Sequence, residues 1–306
     1  MVEIMRRELG LIGFLCMSEE NTPGFQQSPP TPPLGSRIRL GMMGAGVAAY
    51  SAMCGIGGGL FMTPILHYVR KLPLKNAVAT SLALVAASAS SATVAELIHE
   101  DGRLTPERSL LVLFLVIGSL IGAQVGFRVA KRVDVTFLKL IFGLVLLVSG
   151  SRLLFPGAES TEVVVDLEIS ALQLGFAFVV GLASGFLAPL LGVGGGLVAV
   201  PALFLGVPGL GYLAARACGM AMGACASMRS FWLYWREGVV DKHRAVALAG
   251  GALIGASIGV QLVHLKDAVV VAQALMGITL WFVSARFLWD VVAARRDEPS
   301  DSGDQA

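Results

Sequence analysis

The chain has 306 residues, of which 55% are hydrophobic and 14% charged, with a formal net charge of +2 and a mean hydropathy of +0.75. Soluble domains carry about a quarter of their residues charged, so this composition excludes an ordinary soluble enzyme or nucleic-acid binder and predicts an all-α integral membrane protein in a lipid bilayer. The small net charge identifies no partner, because in such a protein the placement of Lys and Arg says more than their sum.

Residues 1–36 form a loosely structured N-terminal segment. Its apolar run "LGLIGFLCM" is too short to span, and "NTPGFQQSPPTPPLG" is Pro-rich and expected to be extended or disordered. Arg6 and Arg7 precede the apolar run as in a signal peptide, but no small-x-small cleavage site stands out in "LCMSEE". A first membrane repeat covers 37–156, with hydrophobic segments near 38–70, 76–98, 107–130 and 135–155. An acidic external connector follows at 157–168. A second repeat covers 169–293, with segments near 170–207, 211–235, 245–264 and 267–291, and a polar cytoplasmic tail runs from 294 to 306.

The repeat is visible in one glycine-dense phrase. "GIGGGLFMTPIL" at 55–66 and "GVGGGLVAVPAL" at 192–203 each hold four glycines in five positions, then a proline five residues after the last of them. With Gly57 laid on Gly194, Leu60 falls on Leu197 and Pro64 on Pro201. Short gaps then bring "LIGAQVG" (120–126) onto "LIGASIG" (253–259) and "SRLLF" (151–155) onto "ARFLW" (285–289). Duplicated hydrophobic halves are the usual build of secondary transporters, whose substrate site lies between the repeats.

The first segment of each repeat is too long for one crossing. As a single helix, the charge-free stretch 40–69 would measure roughly 45 Å against a hydrocarbon core of about 30 Å. Glycines weaken a helix by roughly 1 kcal/mol apiece and the proline removes a backbone bond, so a break at the Gly-rich loop is expected. Irregular backbone at membrane depth must be satisfied by protein or by a water-filled cavity.

Counting every segment as a span gives about eight. If the broken segments are instead re-entrant, and the N-terminus starts in the cytoplasm, the basic clusters at 70–75 and 128–139 fall inside with Arg236, Lys242 and Arg244. Only Arg103, Arg108, Arg152 and Lys266 stay outside. The positive-inside rule prefers this layout, which makes the repeats inverted relative to each other. Both layouts put the N- and C-termini in the cytoplasm, with the protein in the cell membrane.

A broken helix presents the N-terminal amides of the half that follows it, here starting near Gly59 and Gly196. Those amides carry partial positive charge, and glycine lets an anion approach the backbone. Gly57, Gly58, Gly59, Gly194, Gly195 and Gly196 are therefore candidate substrate-binding residues, with Pro64 and Pro201 kinking or ending the second half-helix. Close helix packing is the competing reading of such small-residue patterns. Arg216 reads either as a fixed cation for an anionic substrate or as a residue snorkelling to an interface. Glu96, with His99, Glu100 and Asp101, is placed near the external face, where a proton-coupling role competes with a surface one. Thr80 and Ser81 begin a polar stripe continued by Ser88, Ser90 and Ser91, which either lines a path or bonds to neighbouring helices. Cys16, Cys54, Cys218 and Cys225 form no CxxC pair and no zinc spacing; neither a metal nor a cofactor is expected.

The paired glycine phrases, the "NAVATSL" at 76–82 and the duplicated four-segment layout resemble the sulfite exporter TauE/SafE family of membrane permeases over roughly 38–292. The resemblance implies transport of sulfite, sulfonates or related small organic anions by secondary active transport, with a proton or sodium as coupling ion. The second repeat departs from the pattern, with "ARACGM" (215–220) where the first has Thr80 and Ser81, and this draws Arg216 and Cys218 into the candidate site. An uncoupled anion conduit and a non-transporting membrane subunit are the competing functions, and a homo-oligomer is left open. An intramembrane enzyme is disfavoured: His67, His99, His243 and His264 are scattered near segment ends, with no HExxH and no paired aspartates within the spans.

Overall fold

The computed structural model describes residues 34–99, 108–129, 135–154, 170–265 and 268–296. The expectations for the N-terminal segment through 33, for Glu100, Asp101, Arg103, Lys131, Arg132 and Lys266, for the acidic connector and for the tail from 297 lie outside the described residues. Ten α-helices are described: α1 (Leu34–Cys54), α2 (Gly59–Pro64, continuing as a π-helical turn over Ile65–Val69), α3 (Leu74–Ile98), α4 (Ser109–Val129), α5 (Val135–Leu154), α6 (Ala171–Leu191), α7 (Gly196–Gly206), α8 (Tyr212–Arg236), α9 (Lys242–Val263) and α10 (Ala268–Arg296).

Helices α3, α4, α6, α9 and α10 are each long and apolar enough to cross a membrane, and the chain is a multi-pass membrane protein. Large apolar side chains point outward, with Leu172 84%, Val270 71% and Ile254 66% exposed, whereas Ser51, Ser81, Ser88 and Ser184 are wholly buried. This is the arrangement a lipid-facing exterior requires. Among the described residues only α8 carries a buried arginine, with two further arginines along its length, and it dilutes its apolar content with Gly, Ala and Ser.

Both long first segments break at the glycines. Helix α1 ends where Gly55 takes φ +82°, and α6 ends where Gly192 takes φ +70°. Each break leads to a short second piece, and α7, with 11 residues, spans roughly half a hydrocarbon core at 1.5 Å per residue. Pro64 has no N–H to offer the helix, and the chain widens into the π turn immediately after it. Elsewhere local chemistry sets the starts. Ser170 and Gln173 form a reciprocal capping box on α6, and Asp241 caps α9 by accepting from the Arg244 amide at 3.2 Å.

Two helix pairs are closed by glycine seams. Gly118, Gly122 and Gly126 of α4 lie against the carbonyls of Phe178, Leu182 and Phe186 of α6, while Gly251, Gly255 and Gly259 of α9 lie against those of Gly41, Ala45 and Ala49 of α1. Under the alignment of Gly57 with Gly194, each contact in one seam has its counterpart in the other. Residue numbers rise together along both seams, so α1 and α9 are parallel, as are α4 and α6.

Side-chain bonds fix the remaining directions. Ser91 meets Ser257 at 2.8 Å and Glu96 meets His264 at 3.2 Å, so α3 runs parallel to α9. Lys75 pairs with Glu237 at 2.9 Å at one end of α3, and Glu96 pairs with Arg216 at the other, so α3 and α8 are antiparallel. Since α1 and α3 both run with α9, the segment between them returns the chain to the side where α1 began. Helix α5 packs antiparallel on α10, with Ser284 donating to the Gly143 carbonyl at 2.6 Å and the Trp281 indole donating to Ser151 at 3.1 Å.

Candidate functional site

The two glycine turns have matching backbones. Gly55, Gly57 and Gly58 take φ +82°, +86° and +82°; Gly192, Gly194 and Gly195 take +70°, +79° and +80°. A side chain is strained in that region, which explains why both phrases keep glycine at these positions. The turns meet midway along α3 and α8. Gly57 and Gly194 both pack on Val85, and Gly223 faces the Gly194 carbonyl.

The turns also cross. Gly59, which opens α2, sits against the carbonyl of Gly192, and Gly196, which opens α7, sits against the carbonyl of Gly55. Any Cβ at either helix start would strike backbone of the opposite turn. All residues from Gly55 to Gly59 and from Gly192 to Gly196 are buried, so the crossing is closed. Neither α2 nor α7 has a side-chain cap at its start.

Polar side chains surround the crossing. The Thr63 and Ser81 hydroxyls are 2.7 Å apart and lie against Gly192. The Ser88 hydroxyl is 3.0 Å from the Gly57 carbonyl. Ser184 packs on Gly195, and its buried hydroxyl makes no hydrogen bond among the described residues. Arg216 packs on Gly55 and is entirely buried; it donates through Nη1 to the Ala52 carbonyl at 2.8 Å and through Nη2 to the Glu96 carboxylate, while its Nε has no partner among the described residues.

The structure thus brings Gly57, Gly58, Gly59, Gly194, Gly195, Gly196 and Ser81 together and puts Arg216 beside them. Others of the predicted residues stand apart. Thr80 accepts from the Asp241 amide at 3.3 Å, at the start of α9. Cys218 lies in an apolar cluster with Leu111, Leu115 and Leu203. Pro64 marks the junction with the π turn, and Pro201 is buried inside α7.

Arg216 does not snorkel, and its charge is matched by Glu96, which is 1% exposed. His264 Nε2 approaches the same Glu96 oxygen at 3.2 Å, and the His99 ring stacks on His264 with centroids 4.1 Å apart. Sequence reasoning did not assign Thr63, Ser184 or His264 to the site. Ser184 and His264 carry no local signal, whereas Thr63 lies inside the glycine phrase itself. Glu96 and Arg216 were visible as two lone opposite charges in hydrophobic segments, which is the signal that could have paired them.

Two grooves open beside these elements. One, of about 770 Å³, is lined by Ser90, Ser91, His99, Leu253, Ser257 and Gln261 between α3 and α9. The other, of about 490 Å³, lies between α1, α2 and α10 around Tyr50, Phe61 and Thr279.

A family model described as "Sulfite exporter TauE/SafE" matches residues 9–153 and 177–304. A "Probable membrane transporter protein" of Xylella fastidiosa (strain 9a5c) is 30% identical over 216 residues, which is 69% of this chain and 78% of that protein. The "Probable membrane transporter protein YunE" of Bacillus subtilis (strain 168) is 29% identical over 114 residues, covering 37% of this chain and 40% of that protein. The "Probable membrane transporter protein MamO" of Magnetospirillum gryphiswaldense is 29% identical over 107 residues, covering 34% of this chain and 17% of that protein. The match therefore spans well under two thirds of the YunE and MamO proteins. No solved structure matches the chain.

Proposed function

This chain belongs to the sulfite exporter TauE/SafE family, and on that premise we propose that it is a permease for small anions, sulfite and sulfonates foremost, working by alternating access between two inverted repeats. The observation that carries the reading is the crossing of the two glycine turns. Backbone of both halves meets there, with Ser184 packed on Gly195 and Arg216 packed on Gly55, and among the described residues the Ser184 hydroxyl and Arg216 Nε have no hydrogen-bond partner. A helix start favours negative charge, and two unused donors beside it are what an oxyanion would take up.

The helix directions support inverted repeats. Helices α1 and α3 run with α9, and α8 runs against them. In α4, Leu111 and Leu115 cluster with Ala215 and Cys218 near the start of α8, and Gln124 accepts from Arg229 near its end at 2.7 Å. Helices α4, α6 and α8 therefore share the opposite direction, and matching elements of the halves point opposite ways. The closed crossing corresponds to an occluded state, and alternating access requires the turns to separate toward one side and then the other.

The test is uptake of labelled sulfite into proteoliposomes, competed by sulfate, thiosulfate, sulfoacetate and acetate, together with thermal denaturation of the wild-type chain in each anion. Saturable, competed uptake is expected, lost in Gly195→Leu, with an anion at 100 times its Kd stabilising the fold by about 2.7 kcal/mol. Non-saturable flux would favour the uncoupled conduit. The absence of both flux and thermal stabilisation with every anion would sink the anion reading.

A further inference from the structure

We infer that Glu96 carries the coupling proton, and that protonated Glu96 yields Arg216 to the transported anion. The inference rests on the anion-permease reading and specifies its driving ion.

A continuous series of polar groups leads from the outer face of α3 to the glycine crossing. His99 lines the groove between α3 and α9 together with Ser90, Ser91, Ser257 and Gln261. Its ring stacks on His264 at 4.1 Å and 14°. His264 Nε2 stands 3.2 Å from Glu96 Oε1, and that same oxygen binds Nη2 of Arg216. Arg216 in turn packs on Gly55, whose carbonyl meets the start of α7. An imidazole can take up a proton on one ring nitrogen and release one from the other, so two histidines in series between a groove and a buried carboxylate form a path for a proton.

Charge balance makes the exchange obligatory. With Glu96 ionised and the histidines neutral, the pair with Arg216 is neutral, and an anion entering beside it would leave an unmatched negative charge in the protein interior. With Glu96 protonated and no anion present, Arg216 would be the unmatched charge. Either is strongly disfavoured for a fully buried pair. The favourable states are the ion pair without substrate, and Glu96–COOH with the anion on Arg216. The step is Glu96–COO⁻ plus H⁺ giving Glu96–COOH: an O–H bond forms, the Nη2–carboxylate bond is released, and the anion's oxygen takes its place, with the idle Nε as a second donor. One proton therefore accompanies each anion.

Tyr50 and Cys54 of α1 and Tyr212 of α8 are further titratable groups beside this cluster. Tyr212 donates to the Cys54 and Ala272 carbonyls, at 3.3 Å each, and the Cys54 thiol lies close enough to Arg216 and Tyr50 to interact with both. Phenol and thiol groups are ordinarily neutral at pH 7, so these three add no charge to the pair.

The experiment measures proton and anion movement together. Wild-type chain is reconstituted in liposomes holding a pH-sensitive dye, with the membrane potential clamped at zero, and a labelled alkanesulfonate, a monoanion at every pH used, is supplied. One proton per sulfonate is expected, and a one-unit pH gradient should sustain about tenfold accumulation. Glu96→Gln should abolish proton movement and accumulation together, reducing one-for-one sulfonate exchange less than either, and Glu96→Asp should recover part of the coupling. Saturable sulfonate uptake without proton movement in the wild type overturns the inference and leaves the permease reading standing. The same holds if Glu96→Gln transports with the wild-type ratio. A wild-type chain that moves no anion overturns both. The wild-type ratio decides the matter even if the variants do not fold.

Discussion

Arg216 and Glu96 are 120 positions apart in the chain and share one hydrogen bond with no exposure to solvent. A buried guanidinium is tolerable only while its charge is matched, so the energetics of each residue depend on the other. Arg216→Met alone leaves an unmatched carboxylate and is expected to destabilise the protein by about 3 to 5 kcal/mol. Adding Glu96→Leu should restore most of that loss, because the apolar pair has no charge to bury. Denaturation of the single and double variants in detergent would check this, and equal losses in both would mean that the pair is energetically idle. Each charge was legible in the sequence as an exception within a hydrophobic segment. Their partnership was not, because it depends on two helices lying antiparallel.

The pairs α4–α6 and α1–α9 are joined through backbone contact, because lipid supplies no hydrophobic drive for helix association and close approach must supply it. Gly122 of α4 and Gly255 of α9 occupy matching places in the two seams, each with a carbonyl of the neighbouring helix where a Cβ would go. Gly122→Ala and Gly255→Ala should each destabilise the fold by about 1 to 3 kcal/mol, the usual range for overpacking. Gly250 lies in α9 as well, but its added Cβ would meet nothing within 4 Å. Gly250→Ala should therefore leave the melting temperature unchanged or raise it. Ala is the better helix former, so a loss at Gly250 equal to that at Gly255 would show that the seam does not set these costs. The sequence displayed the small residues of both seams, but not which helices they join.

At the scale of the whole molecule, the two halves present matching contacts in opposite directions, and the basic residues of the turns favour a cytoplasmic end where α3 begins and α8 finishes. On that orientation, Ala171 at the start of α6 faces outward and His243 at the start of α9 faces the cytoplasm; both are exposed. In a chain freed of its native cysteines, Ala171→Cys should react with a membrane-impermeant maleimide on intact cells, and His243→Cys only after permeabilisation. The reverse pattern would invert the orientation, and labelling of both from outside would break the inverted arrangement.

By itself the sequence determined the membrane environment, the doubled glycine phrase and the break at each copy of it. These are local properties, fixed by composition, by periodic apolar runs and by the backbone conformations that only glycine adopts readily. Only the tertiary structure decided that the two turns cross with each helix start against the opposite carbonyl, that Arg216 is held by Glu96, and that Thr80 and Cys218 face away from the turns. Those outcomes depend on helix direction and rotation, which long-range packing sets and which no local pattern of residues encodes.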